Sequence, residues 1–436
     1  MRKTRSAVVL AVLSLAMVAA SCGNKSNSST STTATTTPGS TVTPSMTAEQ
    51  TSCPSATSCF VSGNVSSVGG GVPGLFKGAQ VGADAYLAYQ NSLGGLDGRK
   101  FKLLTGDDFL SCSSNESLTS SQLSQVIAFT GSFSLNDNCG GQVLAKNPTV
   151  PDVSVTLDPT TAALPNVFSV QPLAQGMAEG PLKYFKSKYP SAVTKVGSLY
   201  ANLGSAPAQW AGQKAAMVNQ GYKIIYEKPF PPTETDFTSE VIAMENAGVQ
   251  MVVLSAINDS YGATLLKDMN QQGFKPQVIW GGSSTYSGPS ASDPTVVKDA
   301  GGASVVNGYY LEQAQALYLG EDAKLVPADT TFLTWVQGLY PNFNIDLYTL
   351  YGWTSAELYV DALKKAGSNP TQASLLTALK GETSFNGDNL LAPANPAGKV
   401  PASCYVLAQV ASGQFQRVDM PSGSVYRCDA PYLSGS

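Results

Sequence analysis

Residues 91–100 read Asn-Ser-Leu-Gly-Gly-Leu-Asp-Gly-Arg-Lys and lie between a stretch with helical periodicity and a short apolar run. Gly94 and Gly95 suit the end of a helix, because glycine readily adopts the left-handed conformation of a C-terminal cap. Gly98 suits a tight turn with positive φ before Arg99 enters a strand. The stretch therefore predicts a helix, a turn and a strand in that order.

Outward from this unit, short apolar runs alternate with stretches that place apolar side chains on one helical stripe, as Val81, Ala85 and Tyr89 do. The predicted strands are 101–104, 126–130, 196–200, 223–226, 250–255 and 277–280. The predicted helices are 74–91, 116–125, 206–220, 237–247, 261–272 and 350–366. Strands alternating with helices predict right-handed βαβ units and an α/β fold with parallel sheets, with enough material for two sheets.

The C-terminal part changes pattern. Gly367 suits a left-handed cap after the helix 350–366. After Pro401, residues 404–409 and 414–419 alternate around 411–413, which predicts a hairpin.

The N-terminus predicts export. Three basic residues within positions 2–5 precede a mostly apolar run at 7–20, which is short for a membrane span. Ala-Ala-Ser-Cys at 19–22 resembles the bacterial lipobox, in which the chain is cut before a lipidated cysteine, here Cys22. The alternative is an ordinary secretory signal with an incidental cysteine. We therefore expect a signal peptide at 1–21, a flexible linker at 22–57 and an exported protein, lipid-anchored at the outer face of the cell membrane or in the periplasm.

The composition excludes several classes of function. A net charge of −4, from 26 Lys and Arg against 30 Asp and Glu, gives no electrostatic basis for binding nucleic acid. The chain has 0 histidines among 436 residues, which removes the Ser-His-Asp triad and nearly every catalytic zinc site. We therefore expect no cofactor and no metal.

The cysteines agree with export. Six of the 7 cysteines remain once Cys22 is set aside, and an even number in an exported chain predicts three disulfides. The sequence leaves the connectivity open, and a metal site is disfavoured because no C-x-x-C motif and no histidine occur. Proximity favours the pairs Cys53–Cys59, Cys112–Cys139 and Cys404–Cys428.

A family resemblance emerges from the order of these motifs. The segment 91–100 leads through a strand to Asp107-Asp108, then to Cys112 and Cys139, and similar features follow at 167–176 and 366–368. This order resembles the type I periplasmic binding protein family, and within it the Leu/Ile/Val-binding group. The resemblance covers residues 58 to 420.

The resemblance implies two doubly wound parallel-sheet lobes joined by hinge crossover strands, closing on a small ligand. We expect lobe 1 at 58–172 plus 305–395 and lobe 2 at 173–304 plus 396–430. It also implies delivery of the ligand to an ABC permease. The ligand is expected to be an amino acid, an amide or a small carboxylate.

Loops after the strands of lobe 1 are the first candidate half-site, because doubly wound sheets bind ligands at the carboxyl ends of their strands. In the family the loop at 131–136 holds a ligand carboxylate, and Ser132 and Ser134 are the matching positions. The alternative is that Ser134 or Asn136 caps the next helix. Thr156 and Asp158 occupy a second ligand loop of the family, although Asp158 before a proline also suits a turn.

Lobe 2 supplies the second candidate half-site. Tyr200 and Asn202 stand at the end of one predicted strand, Asn258 follows another, and Ser283 follows a third. Tyr200 either closes over an apolar ligand or packs in the core. The segment 282–285 lacks the acidic residue that often pairs with a ligand ammonium in the family, so either Asp158 or another acid replaces it, or the ligand is not an α-amino acid.

The sequence thus predicts a solute-binding lipoprotein that does not catalyse a reaction. A sensing receptor with the same clamshell fold is the alternative. An enzyme using Asp107 and Asp108 is disfavoured, because adjacent strand residues face opposite sides of a sheet.

Overall fold

The computed structural model describes residues 58–70, 74–173, 175–204, 206–254, 257–418 and 420–434. The predicted signal peptide, Cys22, the linker and Cys53 lie outside these residues. None of the helices in the described ranges combines the length and apolar character needed to cross a bilayer.

A strand occupies each of the six predicted intervals, with differences of a few residues at its ends, and further strands lie at positions without a prediction. They are β1 Cys59–Ser66, β2 Lys100–Asp107, β3 Ala128–Thr130, β4 Asp152–Val153, β5 Gly176–Ala178, β6 Val196–Ala201, β7 Ile224–Phe230, β8 Met251–Leu254, β9 Val278–Gly282, β10 Tyr310–Gln313, β11 Val406–Ala411, β12 Gln414–Arg417 and β13 Tyr432–Ser434. Every residue of β3 and β8 is buried, which is typical of parallel strands covered by helices on both faces.

A helix occupies each of the six predicted intervals, with differences of a few residues at its ends, and further helices lie between them. They are α1 Lys77–Ser92, α2 Cys112–Gln122, α3 Asp137–Lys146, α4 Pro159–Ala162, α5 Glu179–Lys188, α6 Ala206–Asn219, α7 Thr238–Asn246, α8 Asp259–Gln272, α9 Thr295–Asp299, α10 Ala303–Val306, α11 Pro327–Leu339, α12 Leu347–Lys365 and α13 Gln372–Leu379. Gly367 follows α12 with φ 95°, as predicted.

Two sheets organise these elements and confirm the predicted α/β class. Strands β2-β1-β3-β4 form a parallel sheet, and β12-β11-β10-β9-β8-β6-β7 form a second sheet in which β6 to β10 are parallel. The predicted hairpin is the antiparallel pair β11–β12. Strand β13 pairs with β5 in a small third sheet.

The lobe boundaries remain a prediction. The position of β10 does not agree with its predicted assignment to lobe 1. This strand pairs with β9 and β11 and so lies in the seven-stranded sheet, although the predicted lobe 1 included residues 305–395. The short run Tyr310–Gln313 carried no strand prediction.

The segment 91–100 folds as predicted. Gly94, Gly95 and Gly98 have φ of 106°, 77° and 77°. The carboxamide of Asn91 donates to the carbonyl of Phe101 at 2.9 Å and accepts from its N–H at 2.7 Å, which ties the end of α1 to β2. The asparagine and the glycines therefore fix the turn together.

Close packing of α1 on α12 depends on small residues. A Cβ at Gly82 would overlap the carbonyl oxygen of Thr349, and one at Gly352 would overlap that of Ala79. Helix α12 begins with a capping box between Asp346 and Thr349, which satisfies N–H groups at its first turn.

Two predicted disulfides are present. Cys112–Cys139 joins α2 to α3, and Cys404–Cys428 joins the segment before β11 to the C-terminal segment. Cys59 is also disulfide-bonded, while its predicted partner Cys53 lies outside the described residues.

Candidate functional site

A cleft of about 640 Å³ lies at the carboxyl ends of the parallel strands of both sheets. From the four-stranded sheet it receives the loops after β3 and β4. From the seven-stranded sheet it receives the loops after β6, β8, β9 and β10. A volume of this size suits a small organic molecule.

Aromatic rings cover one side of the cleft. Phe76 and Phe133 have ring centroids 4.7 Å apart, and Tyr348 lies 4.5 Å from Phe76 and 4.8 Å from Phe133. Tyr351 also lines the cleft and stacks on Phe133 at 6.2 Å. This cluster can hold an apolar or aromatic ligand body.

Three of the predicted ligand residues line the cleft: Asp158, Asn258 and Ser283. Asp158 also caps α4, since its carboxylate accepts from the Thr161 N–H at 2.8 Å. Burial is the largest single influence on the Asp158 carboxyl and acts to raise its pKa. The hydrogen bonds from Thr160 and Thr161 together outweigh burial, so the pKa of Asp158 lies below its ordinary value. Asn258 likewise caps α8 by accepting from the Tyr261 N–H at 3.1 Å.

The serine side chains of the predicted anion-binding loop at 131–136 do not line the main cleft. Ser132 and Ser134 instead line a separate cavity of about 30 Å³ together with Thr156. The Ser132 hydroxyl accepts from the Val65 N–H at 3.1 Å. The Ser134 hydroxyl accepts from the Asn136 N–H at 2.9 Å, whereas Asn136 itself makes no side-chain capping bond.

The N–H groups of the same loop are also engaged. Serine hydroxyls accept from four of them: Ser154 from the Ser132 N–H, Ser66 from the Phe133 N–H, Ser67 from the Leu135 N–H and Ser134 from the Asn136 N–H. The distances range from 2.9 to 3.2 Å. These four N–H groups therefore stabilise the conformation of the loop.

Tyr200 and Asn202 do not line the cleft. The ring of Tyr200 stacks on Trp210 at 6.0 Å, which is the core-packing alternative. Asn202 is exposed, and its backbone N–H donates to the Phe230 carbonyl at 2.8 Å.

Glu312 and Gln313, at the end of β10, line the cleft and were missed from the sequence. Burial raises the pKa of Glu312 to about 7. The Gln313 amide nitrogen donates to the carbonyls of Gln315 and Ala316 at 3.2 and 2.7 Å. In the sequence, β10 shows only two apolar residues followed by two long polar ones. This apolar run is too short to predict a strand.

The described lining of the cleft is acidic in composition. Asp137, Asp158 and Glu312 contribute carboxyl groups, while no lysine or arginine occurs among the described lining residues. Burial raises the pKa of Asp137 to about 6. No group of three or more acidic, cysteine or histidine side chains in the described ranges could hold a metal ion.

Asp107 and Asp108 form turn contacts rather than an acid-base couple. Oδ1 of Asp107 accepts from the N–H groups of Val68, Gly69 and Phe109 at 2.9–3.0 Å. Asp108 is fully buried and accepts from Leu110 and Asn115.

A family model described as "Periplasmic binding protein" matches residues 63–414. The Leu/Ile/Val-binding protein homolog 7 of Brucella abortus is 22% identical over 288 residues, covering 63% of this chain and 69% of that protein.

Solved structures share the fold. The branched-chain amino acid transporter substrate binding protein LivJ from Streptococcus pneumoniae, in complex with isoleucine, has a TM-score of 0.64 at 16% identity, covering 82% of this chain and 98% of that chain. A solute binding protein of an ABC transporter from R. palustris, in complex with benzoate, has a TM-score of 0.66 at 15% identity. The match covers 87% of this chain and 99% of that chain.

Proposed function

Since this chain belongs to the periplasmic binding protein family, we propose that it is an extracytoplasmic solute-binding protein. It captures a small molecule between two lobes and delivers it, chemically unchanged, to an ABC-type importer. The relatives described as transporter components support the importer as partner.

The cleft between the two sheets is the observation that carries this proposal. It is lined from both sides, by Phe133 and Tyr348 on one and by Asn258 and Ser283 on the other. A ligand that touches both sets of loops stabilises the closed arrangement, because each half contributes part of its contacts.

The relatives support a small ligand with an apolar body. Isoleucine and benzoate, bound in two structurally similar proteins, share an apolar or aromatic portion with one polar end. The ring cluster of Phe76, Phe133 and Tyr348 suits that portion. We therefore propose a ligand of amino-acid, amide or small-carboxylate size.

A thermal-shift screen followed by solution scattering tests this function. A true ligand raises the melting temperature by mass action and reduces the radius of gyration as the lobes close. A protein whose radius of gyration stays constant with every stabilising compound would contradict capture between lobes.

Gly282 offers a matched pair of variants for the same test. It lines the cleft with φ −100°, and a Cβ there would meet only the Glu312 carbonyl oxygen, at 4.0 Å. Gly282→Phe should fill the cleft and weaken ligand binding at least tenfold, whereas Gly282→Ala should bind nearly as the unmodified protein does. Equal affinity in both variants would place the ligand elsewhere.

We also propose that Cys22 carries a lipid anchor, on the lipobox-like sequence at 19–22. Cys22→Ala should release the protein from the membrane fraction and abolish labelling by a radioactive fatty acid. Retention of the label in this variant would exclude Cys22 as the lipidated residue.

A further inference from the structure

The cleft touches two hydrophobic cores that lie on opposite faces of the seven-stranded sheet. The ring cluster packs in the first core. Four other lining residues belong to the second core: Met177, Met217, Val253 and Trp280. Val253 and Trp280 are neighbours in the pairing of β8 with β9 and so point to the same face, whereas Leu254, one position further along, belongs to the first core. The cleft therefore continues past the strand ends onto the second face of this sheet.

Helix α6 forms the other wall of this continuation, since Met217 of α6 packs in the same core as Val253 and Trp280. Four lining residues of the helix are spaced three or four positions apart and so share one face: Ala206, Gln209, Gln213 and Met217. They span about 16 Å along the helix axis. The first three are half-buried and Met217 is fully buried. We call the space between this face of α6 and the strands β8 and β9 the inner chamber.

The inner end of the chamber is narrow, apolar and adaptable. Its four residues of the second core are each at most 7% exposed. Two of them, Met177 and Met217, have unbranched side chains with three rotatable bonds, which adjust to the shape of a bound group. A polar group would lose its hydration there, whereas an aliphatic chain gains by leaving water.

Polar side chains lie nearer the mouth of the chamber. Glu312 lines the cleft and lies beside Gly282 in the pairing of β10 with β9, closer to the strand ends than Trp280. Gln209 lies near the beginning of α6. This order, polar at the mouth and apolar at the inner end, suits a molecule with a polar head and a chain that points inward.

We propose that the ligand of this cleft carries an unbranched aliphatic chain, and that this chain enters the inner chamber between α6 and the paired strands β8 and β9. The inference rests on the solute-binding function proposed above and extends its small ligand by the chain. The polar head stays among the loops at the mouth. The cleft volume of about 640 Å³ agrees, because cavities of this size hold drug-sized molecules, which are larger than a single amino acid.

Two chain-length series test the assignment on the purified protein. They are hexanoate, octanoate and decanoate, and the matching hexylamine, octylamine and decylamine. The head group is constant within a series, so the change in dissociation constant reports the chain alone. Calorimetric titration should give about tenfold tighter binding for each two added methylenes in the series whose head group the cleft prefers.

Tryptophan fluorescence locates the chain in the unmodified protein. Of the 4 tryptophans, Trp280 lines the cleft, whereas Trp210, Trp335 and Trp353 do not. Bromine quenches an indole that it contacts. A decyl ligand brominated at its terminal carbon should therefore quench more strongly than the same ligand brominated next to its head group. Trp280→Phe should remove this difference.

A matched pair of variants on α6 connects the chain to the chamber. Gln213→Phe places a ring in the chamber and should weaken binding of the decyl compound at least tenfold, while the hexyl compound changes less than threefold. Ala211→Phe adds the ring at an exposed position of the same helix and should change neither.

Three outcomes would overturn the inference. They are a dissociation constant that does not fall with chain length in either series, quenching by bromine next to the head group that equals quenching by terminal bromine, and equal weakening of hexyl and decyl compounds in Gln213→Phe. The proposed function fails separately, when no compound in the broad screen closes the cleft. A short ligand that compacts the protein, with no gain from a longer chain, would refute the chain while supporting capture.

Discussion

The hydroxyl of Ser134 donates a hydrogen bond to Oδ2 of Asp108, so a loop residue next to the cleft is fastened to the end of β2. Asn115 from α2 donates to both partners, at 2.9 Å to Asp108 and 3.1 Å to Ser134. All three side chains are buried. The hydroxyl expected to contact a ligand thus holds together the loop that shapes the site.

Ser134→Ala should reduce the free energy of unfolding by about 1–3 kcal/mol, because it leaves buried polar partners unsatisfied. Chemical denaturation monitored by circular dichroism measures this loss. Ser260→Ala, at an exposed position of α8, is the control and should change stability by less than about 0.5 kcal/mol. Unchanged stability of Ser134→Ala combined with lost ligand binding would return Ser134 to the ligand site.

The fold could be predicted because its signals are local. The turn at 91–100 depends on the conformational freedom of its glycines, and β8 is a run of apolar residues. Parallel order then follows from the alternation of strands and helices. None of these steps requires knowledge of which distant residues meet.

The site was harder because side-chain direction depends on distant neighbours. Ser132 belongs to a loop at the carboxyl end of a strand, as predicted, but its hydroxyl accepts from Val65, 67 positions earlier in the chain. Glu312 was missed because β10 is only 4 residues long and obtains its place from β9 and β11. Position along a strand was predictable, whereas hydrogen-bond partners were not.

Buried carboxyl groups predict that stability falls as the pH rises. Burial, together with the neighbouring carboxyl groups of Glu321 and Asp322, raises the pKa of Asp329 to about 8. Burial also raises the pKa of Glu321 to about 7. The unfolded chain loses these protons near pH 4, so between pH 4 and 8 the folded state binds more protons and becomes less stable as the pH increases.

Each proton that only the folded state retains lowers the free energy of unfolding by about 1.4 kcal/mol per pH unit in this window. The melting temperature should therefore be lower at pH 8 than at pH 5.5. Asp329→Asn, which cannot ionise, should flatten this slope, while Asp299→Asn at an exposed position should leave it unchanged. A slope in Asp329→Asn equal to that of the unmodified protein would show that Asp329 is ionised in the folded state.

Helix packing gives a prediction about two glycines, each in the interior of a different helix, that have different surroundings. A Cβ at Gly82 of α1 would overlap the backbone of Thr349, whereas one at Gly262 of α8 would meet Thr285 Cγ2 at an ordinary 3.4 Å. Gly82→Ala should cost about 3 kcal/mol of stability, because the two helices must separate. Gly262→Ala should gain up to about 1 kcal/mol from helix propensity. Equal effects in denaturation would mean that α1 and α12 adjust freely.

The disulfide Cys404–Cys428 links two parts of the chain that border the cleft. Cys404 lines the cleft, as does Tyr432 on β13, which pairs with β5. The bridge closes a loop of sequence separation 24, so the double variant Cys404→Ser with Cys428→Ser should lose about 3 kcal/mol of stability. Loss of the bridge should also free β13, and limited proteolysis should then cut the C-terminal segment faster.

The pair Cys112→Ser with Cys139→Ser is the matched control, since that bridge closes a similar loop of separation 27 between α2 and α3. It should cost a similar amount of stability without exposing the C-terminal segment to protease, because β13 stays attached by Cys428. Mass spectrometry of the digests distinguishes the two variants by their cleavage sites. Equal cleavage of the C-terminal segment in both would mean that β13 is retained by pairing with β5 alone.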